Sequence, residues 1–354
     1  MFTLLFILNI IVAILSYGIF SAASVSPNEH WLAGFVSYLV PFALLINVIF
    51  VVFWLFFGKW KAILSALVLI SGAAFLKSSL AFGNSHDYAV KSDGDFDVLN
   101  YNVRVFNAYA SWKNKKEHSG YRIADWLSNV VHPDVVCFQE FYQNKREDYL
   151  NMVSKMQSIG YPHHYFFVVL NDAGGGQFGM ATFSKFPIVK KGNIIFKEGS
   201  NNMAIYTDVT ISGETVRIFN IHLESLNIDE KKAMNLDEVE KGNLFVKLKS
   251  GFKLRSLQIE KVLKSAKSSP FKVIICGDWN DLPYGYSYKI MQKYYDNSFE
   301  EAGKGFGFTF NGGMPFLRID NQFFNKTIRI KKFDTFSNMK ASDHFPIMGR
   351  YNLD

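Results

Sequence analysis

Six short segments place a residue able to bind metal or phosphate at or beside the end of an apolar run. They are Val98-Leu99-Asn100-Tyr101-Asn102, Val135-Val136-Cys137-Phe138-Gln139-Glu140, Ile218-Phe219-Asn220-Ile221-His222, Ile274-Ile275-Cys276-Gly277-Asp278-Trp279-Asn280, Arg318-Ile319-Asp320 and Ser342-Asp343-His344. A single Asp or Asn after a strand is more often a turn residue. Six in one domain are harder to dismiss, because polar groups on strand ends can meet at one rim of a sheet sandwich while the strands hold them rigid. The set contains carboxylates, amides and imidazoles. Carboxylate and amide oxygens suit a hard cation such as Mg²⁺ or Mn²⁺. Such a cation would offset the charge of a phosphate ester and polarise its P–O bond. An imidazole near neutral pKa can trade a proton with water or a leaving oxygen, and a carboxylate behind it favours the imidazolium. Arg104, two residues after Asn102, would bind substrate phosphate or is a surface arginine, with equal weight on each reading.

The elements that would carry these groups alternate from Phe96 onward. Apolar runs predict strands at Phe96–Asn100, Val135–Gln139, Tyr165–Leu170, Met180–Phe183, Ala204–Ile211, Thr215–His222, Val273–Cys276, Ile319–Phe324 and Phe345–Arg350. Helices are predicted at Tyr121–Val131, Lys145–Ile159, Phe252–Ala266 and Ser287–Tyr294. Many strands in one domain of about this size imply an α/β fold of two packed mixed β-sheets flanked by helices, a four-layer sandwich. Asn171-Asp172-Ala173-Gly174-Gly175-Gly176 reads as a flexible rim loop; no Lys-Ser or Lys-Thr follows it, so it is not a phosphate-cradling loop of the nucleotide-binding kind. Cys137 and Cys276 both sit inside apolar runs and read as buried strand residues.

The ordered series of segments resembles the endonuclease/exonuclease/phosphatase family, over essentially Phe96 to Leu353. G-D-W-N at 277–280 differs from the family's G-D-F-N by one aromatic exchange. Q-E at 139–140, N-x-H-L at 220–223, R-I-D at 318–320 and S-D-H at 342–344 follow in order. The resemblance implies a metal-dependent phosphoesterase in which Glu140 ligates the metal with Asn102 and Asp343 adjacent. It also implies that Asp278 orients or activates water, Asn280 holds a phosphate oxygen, and His344 contacts the scissile phosphate or moves a proton. His222 becomes the second imidazole and Asp320 the partner that fixes a histidine tautomer. His222 in its N-x-H-L setting is shared with the deoxyribonuclease, sphingomyelinase and phosphatase branches and is absent from the AP endonucleases. The expected substrate is a phosphodiester, from nucleic acid or a phospholipid head group. The competing reading is a non-catalytic membrane scaffold that keeps the fold; retention of Glu140, Asp278, Asn280, Asp320, Asp343 and His344 counts against it.

The front of the chain has a different composition. No charged side chain occurs from Met1 to Asn28, from Trp31 to Gly58 or from Ala62 to Leu76. A bilayer core needs about 20 apolar residues in helix, so Phe2–Phe20 and Val36–Phe57 qualify, and the third run qualifies if Lys77 snorkels and the helix continues towards Phe82. The first run, ending near Ser21-Ala22-Ala23-Ser24, could be a cleaved signal peptide. The absence of a preceding cation and the further apolar spans favour an uncleaved anchor. The expected organisation is a membrane anchor of about three transmembrane helices over 1–82, a linker over 83–95 and a catalytic domain over 96–354. Lys59 and Lys61 between the second and third spans point to the cytoplasmic side, which places the catalytic domain of this multi-pass cell-membrane protein outside. The chain carries a net +7, and nine cations between Lys241 and Lys272 face only Glu260. That run is either an anionic-lipid or nucleic-acid patch or, with slightly more weight, a solvated helix face. Leu226–Ser250 reads as an insertion.

Overall fold

A computed structural model describes residues 2–83, 91–108, 118–225, 238–314 and 316–353. Its first part is a helical hairpin bundle. Helices α1 (Phe2–Ala22), α2 (Leu32–Ser37), α3 (Val40–Phe57), α4 (Ala62–Ser71) and α5 (Ala73–Ser79) follow one another. Two of them, of 21 and 18 residues, are long and apolar enough to cross a membrane. A third crossing exists if the α4–α5 pair is one span, but that pair is bent by 61° at Gly72. The second apolar run begins its long helix at Val40 rather than Val36, because Pro41 sits in the first turn, where its missing N–H costs nothing. Val36 belongs to the separate short helix α2.

Polar side chains inside this bundle are paired with one another. Asn9 Nδ2 donates to Ser65 Oγ at 2.7 Å, Asn47 Nδ2 to Ser16 Oγ at 2.8 Å, and Trp54 Nε1 to Asn9 Oδ1 at 3.0 Å. Polar contacts of this kind hold helices together where the surroundings are apolar and supply no competing partner.

The remainder is built on two six-stranded mixed sheets. In one, the strand order is β10 (Asp296–Asn297), β12 (Asp320–Phe324), β9 (Lys272–Asp278), β8 (Glu214–His222), β7 (Met203–Ile211) and β6 (Ile188–Ile195). In the other it is β13 (Arg329–Thr335), β14 (Ile347–Asn352), β2 (Asp95–Asn102), β3 (Val135–Asn144), β5 (Gly176–Ser184) and β4 (His163–Asn171). The β8–β9 and β2–β3 pairs are parallel and the other pairs antiparallel. The inner faces meet in a core that includes Phe96, Val98, Val135, Cys137, Ile218, Ile274, Cys276 and Tyr351. Outside one sheet lie α6 (Gly120–Trp126) and α7 (Met152–Ser158); outside the other lie α8 (Glu238–Lys267) and α9 (Tyr286–Gln292). This is the four-layer α/β sandwich expected from the sequence. Central strands are covered on both faces, which is why β3 and β9 carry continuous apolar runs rather than alternating ones.

Several boundaries differ from the pattern-based expectation. The Lys145–Ile159 helix is a 3₁₀ turn at Asp148–Leu150 followed by α7, with Asn151 capping α7 by accepting from Ser154 N at 3.4 Å. The supposed insertion from Leu226 to Ser250 lies outside the described residues as far as 237, and from Glu238 its backbone is already the first turns of α8. The polar run at 171–176 is a tight turn joining β4 and β5, closed by Gly176 N donating to Asp172 Oδ1 at 2.7 Å. Within the expected linker, 84–90 lie outside the described residues. Just before them, β1 (Ala81–Phe82) pairs with β11 (Lys304–Gly305) of the sandwich.

The helical bundle packs onto the sandwich. Phe35 stacks on Phe245 at 5.1 Å and meets Phe252 edge-on at 5.0 Å, both on α8. Lys249 lies over the Trp31 ring at 4.5 Å. In the basic run, Lys267 covers Tyr294, Lys272 pairs with Glu214, and Arg255 is fully buried. The cations therefore do not form one continuous exposed surface.

Candidate active site

Strand register decides which polar groups meet. Across three neighbouring strands, His222 is opposite Asp278, and Asp278 is opposite Asp320. Adjacent strands lie about 4.8 Å apart, so the three side chains stand in a row along one rim. The parallel pairing of β8 and β9 brings the two main chains unusually close at Gly277. There φ is 151°, and an added Cβ would sit 2.0 Å from the carbonyl oxygen of Ile221. No other residue type fits that place, immediately before Asp278.

The facing sheet supplies the rest. β2 ends at Asn102, and β3 carries Gln139 and Glu140 at a register shift between Phe138 and Phe141. Phe138 and Phe141 both point into the core, which breaks the two-residue alternation and requires a bulge. Glu140 takes a left-handed backbone with φ 50°, and the bulge re-aims its side chain. Asn102 then spans the two sheets. Its Nδ2 donates to Glu140 Oε1 at 3.2 Å and to Asp278 Oδ2 at 3.0 Å, while its Oδ1 accepts from Arg104 N at 3.0 Å.

Asp278 is the centre of the arrangement. Its Oδ2 lies 3.6 Å from His222 Nε2 and 3.7 Å from His344 Nε2, and its Oδ1 accepts from Asn280 N at 2.9 Å. His222 Nε2 is also 3.8 Å from Glu140 Oε1. On its other side, His344 Nδ1 is 2.8 Å from Asp320 Oδ2, and the ring meets Phe310 edge-on at 5.3 Å. Burial opposes a charge on His344, but the carboxylates of Asp320, Asp278 and Asp343 outweigh it and push the imidazole up to about 10. Asn102, His222, Asp278, Asp320 and His344 are all buried. Glu140, Asn280 and Asp343 are half-buried, and Arg104 is exposed with its Nε 3.3 Å from Asp343 Oδ2. Asn280 has one amide hydrogen committed to Leu223 O at 3.0 Å. All nine residues singled out by sequence therefore lie on one rim. Arg104 and Asp343 sit at its outer edge, paired with each other.

Beneath the rim is a layer to which the sequence reading gave no role. Gln139 Nε2 donates to Asn100 Oδ1 at 2.7 Å and to Asn220 Oδ1 at 2.6 Å, tying the sheets together. Thr309 Oγ1 accepts from the amides of Ile319 and Asp320 at 3.0 and 3.1 Å. The amides stood inside the quoted motifs; Thr309 lies in a segment with no periodic signal. A cavity of about 740 Å³ opens beside Glu140 and His222, lined also by Arg104, Asn107, Ser200 and Asn202. That volume suits a small ester or a nucleotide-sized group.

Oxygens of Asp278 and Asp320 and a nitrogen of His344 lie within 4.8 Å of one another. The direct 2.8 Å contact between Asp320 and His344 marks those two as a proton-holding pair and not as two ligands of one ion. Glu140 lines the cavity, and its Oε1 and the Asp278 Oδ2 share the Asn102 amide. Crowded carboxylates with so few cations among them fit a hard, oxygen-seeking ion.

The chain matches the endonuclease/exonuclease/phosphatase family over residues 99–344, and a domain of unknown function over residues 2–79. No curated protein matches it. Among solved structures it is similar to the human Nocturnin catalytic domain with bound sulfate anion, at TM-score 0.54 and 18% identity, covering 73% of this chain and 93% of that one. It is similar as well to an endonuclease/exonuclease/phosphatase family protein from Bacteroides thetaiotaomicron, at TM-score 0.51 and 20% identity over 73% and 95% of the two chains. A Bacteroides vulgatus protein of the same description gives TM-score 0.54 and 15% identity over 75% and 100%. At these identities the likeness establishes the fold.

Proposed function

Because the chain belongs to the endonuclease/exonuclease/phosphatase family, whose members hydrolyse phosphoester bonds, we propose that it is a Mg²⁺- or Mn²⁺-dependent phosphodiesterase held at a membrane by its apolar helices. The observation that carries this reading is the convergence on Asp278, with two imidazole nitrogens within 4 Å of one carboxylate oxygen and Asp320 behind one of them. Glu140, with Asn102 and Asp343 beside it, would hold the cation. When bound, the cation neutralises phosphate charge and polarises the P–O bond.

The chain's own groups then divide the proton work. Asp278 takes a proton from the water whose oxygen attacks phosphorus. The imidazolium of His344, held through Nδ1 by Asp320, gives the Nε2 proton to the leaving oxygen as the P–O bond breaks. Asn280, whose Nδ2 has the Leu223 carbonyl as its one partner among the described residues, and Arg104 orient the ester by donating to phosphate oxygens. His222, beside Glu140 and Asp278, hydrogen-bonds the transition-state oxyanion from the other side.

The substrate is a phosphodiester of nucleic acid or of a phospholipid head group. The Lys59/Lys61 turn argues for a cytoplasmic hairpin and, with three crossings, an extracytoplasmic site. Purified full-length protein in detergent should hydrolyse an aryl phosphodiester in Mg²⁺ or Mn²⁺ and stop in excess chelator. A panel of DNA, RNA, sphingomyelin and phosphoinositides then identifies the branch. Turnover that persists after chelation would sink the metal mechanism, and silence on every ester would sink the enzymatic reading.

A further inference from the structure

We infer that Tyr38, in the apolar N-terminal region, is a positioning residue for the catalytic loop Asp278–Asp281. It acts through a hydrogen bond to Asp281, so the membrane region forms part of the active-site framework. This rests on the phosphodiesterase reading of the same site.

Tyr38 Oη donates to Asp281 Oδ1 at 2.9 Å, across 243 positions of sequence. Asp281 is buried, and its Oδ1 also accepts from Leu282 N at 3.0 Å. The carboxylate is seated in the turn from Leu282 to Gly285, which is closed by Gly285 N donating to Leu282 O at 2.9 Å. A Cβ at Gly285 would lie 2.3 Å from Asp281 Oδ1, so the carboxylate has no alternative seat on that side. The phenol is itself firmly placed: its ring meets Phe252 edge-on at 5.0 Å, and the α2 backbone at Gly34 touches the same Phe252 ring.

One residue before Asp281, Asn280 holds a left-handed backbone with φ 49°. A non-glycine residue keeps that conformation only when its neighbours over-determine it. Upstream, the Asp278 carboxylate and the Leu223 carbonyl hold Asn280. Downstream, the restraint is Asp281, and Asp281 is held by the membrane region. A second loop is tied in the same way: the buried guanidinium of Arg318, two residues before Asp320, donates to the carbonyl oxygen of Ser78 at the end of α5. Two of the loops bearing catalytic groups therefore end on the anchor. By contrast, Lys77–Glu301 joins bundle to sandwich at the surface, with both side chains exposed.

Removing only the hydroxyl should release Asn280 and mis-set Asp278 without disturbing substrate capture. In the full chain, Tyr38→Phe should lower kcat about tenfold and leave KM within about twofold, because the lost order matters in the transition state. The amides of Leu282 and Gly285 should exchange hydrogen faster, while those of Ile274–Cys276 do not change. The double variant Tyr38→Phe/Asp281→Ala should be no slower than Asp281→Ala alone, since both remove the same contact. Lys77→Ala is the control and should keep wild-type kcat. The inference is overturned if Tyr38→Phe turns over at the wild-type rate, if the two losses multiply, if Lys77→Ala falls equally, or if the Leu282 and Gly285 amides are unaffected. A wild-type protein with no turnover on any ester removes the function instead, and the exchange measurement still decides whether Tyr38 orders the loop.

Discussion

Replacing Asp320 by asparagine removes one negative charge from behind His344 and preserves the size of the side chain. The pair is buried, with His344 Nδ1 and Asp320 Oδ2 2.8 Å apart. Burial alone would lower the imidazole; Asp320 is the foremost of the carboxylates that reverse this and bring it from 6.5 to about 10. That displacement corresponds to roughly 5 kcal/mol in favour of the imidazolium over the neutral ring. Without the Asp320 charge, burial is opposed only by Asp278 and Asp343, so His344 gives up its proton at lower pH, with its Nδ1 facing an amide. General acid catalysis contributes about 10²–10⁴-fold, so Asp320→Asn should lose about 10³-fold in kcat at pH 8. The pH profile is the sharper readout. In the wild type, activity should hold through neutral pH and fall only as His344 deprotonates towards pH 10. In the variant, that alkaline limb should move to lower pH. Stability follows the same sign: a folded pKa above the unfolded one contributes stabilisation fully present below about 6.5, lost as pH rises through about 10. Steady-state kinetics of the full chain in detergent, on an aryl phosphodiester from pH 5 to 10, give both numbers. Asp320→Asn that keeps kcat within about threefold of wild type with an unmoved alkaline limb would refute the proton-donor role.

His118 is buried and its imidazole is pushed down to about 4 by that burial. It therefore stabilises the fold above about 6.5 and withdraws that support as pH falls towards 4, by up to roughly 3 kcal/mol; His118→Gln should flatten the acid limb of thermal stability, and an unchanged slope would contradict this. Arg217 makes two hydrogen bonds to the buried Asp208, at 2.7 and 2.8 Å. Arg217→Met strands that carboxylate and should cost about 3–5 kcal/mol in denaturant unfolding; a loss under about 1 kcal/mol would show that Asp208 finds water instead. Cys137 and Cys276 are fully buried in the inter-sheet core, and burial raises the Cys276 thiol. Neither should react with an aromatic disulfide in the folded chain and both should react after unfolding; native labelling of either would mean that the sheet interface opens.

The parts of the fold that could be read from sequence are those where burial writes a local period. Central strands such as β3 and β9 have both faces covered and appear as apolar runs. Among the strands that escaped notice, β6 and β13 lie at sheet edges. They are exposed or half-buried along nearly all their length, and they carry Lys190 and Lys191, or Arg329, Lys331 and Lys332. Charged edges discourage further pairing and erase the hydrophobic signal at the same time. Likewise, α8 was seen only from Phe252, although Phe245 lies two turns earlier and packs on the same Phe35 ring, because the partner of those turns is a distant segment and not their own neighbours.

By itself the sequence determined the layered α/β architecture, the apolar character of the first helices and the chemical types placed at the strand ends, since each is written in neighbouring residues. Tertiary structure alone decided which oxygen meets which nitrogen. The row His222–Asp278–Asp320 depends on register between distant strands. The turn of Glu140 depends on a bulge that both Phe138 and Phe141 must satisfy. The contact of Tyr38 with Asp281 joins two elements that share no local pattern. A strand end states what a side chain can do; its partner is chosen by the packing of segments tens to hundreds of residues apart, and no local periodicity encodes that choice.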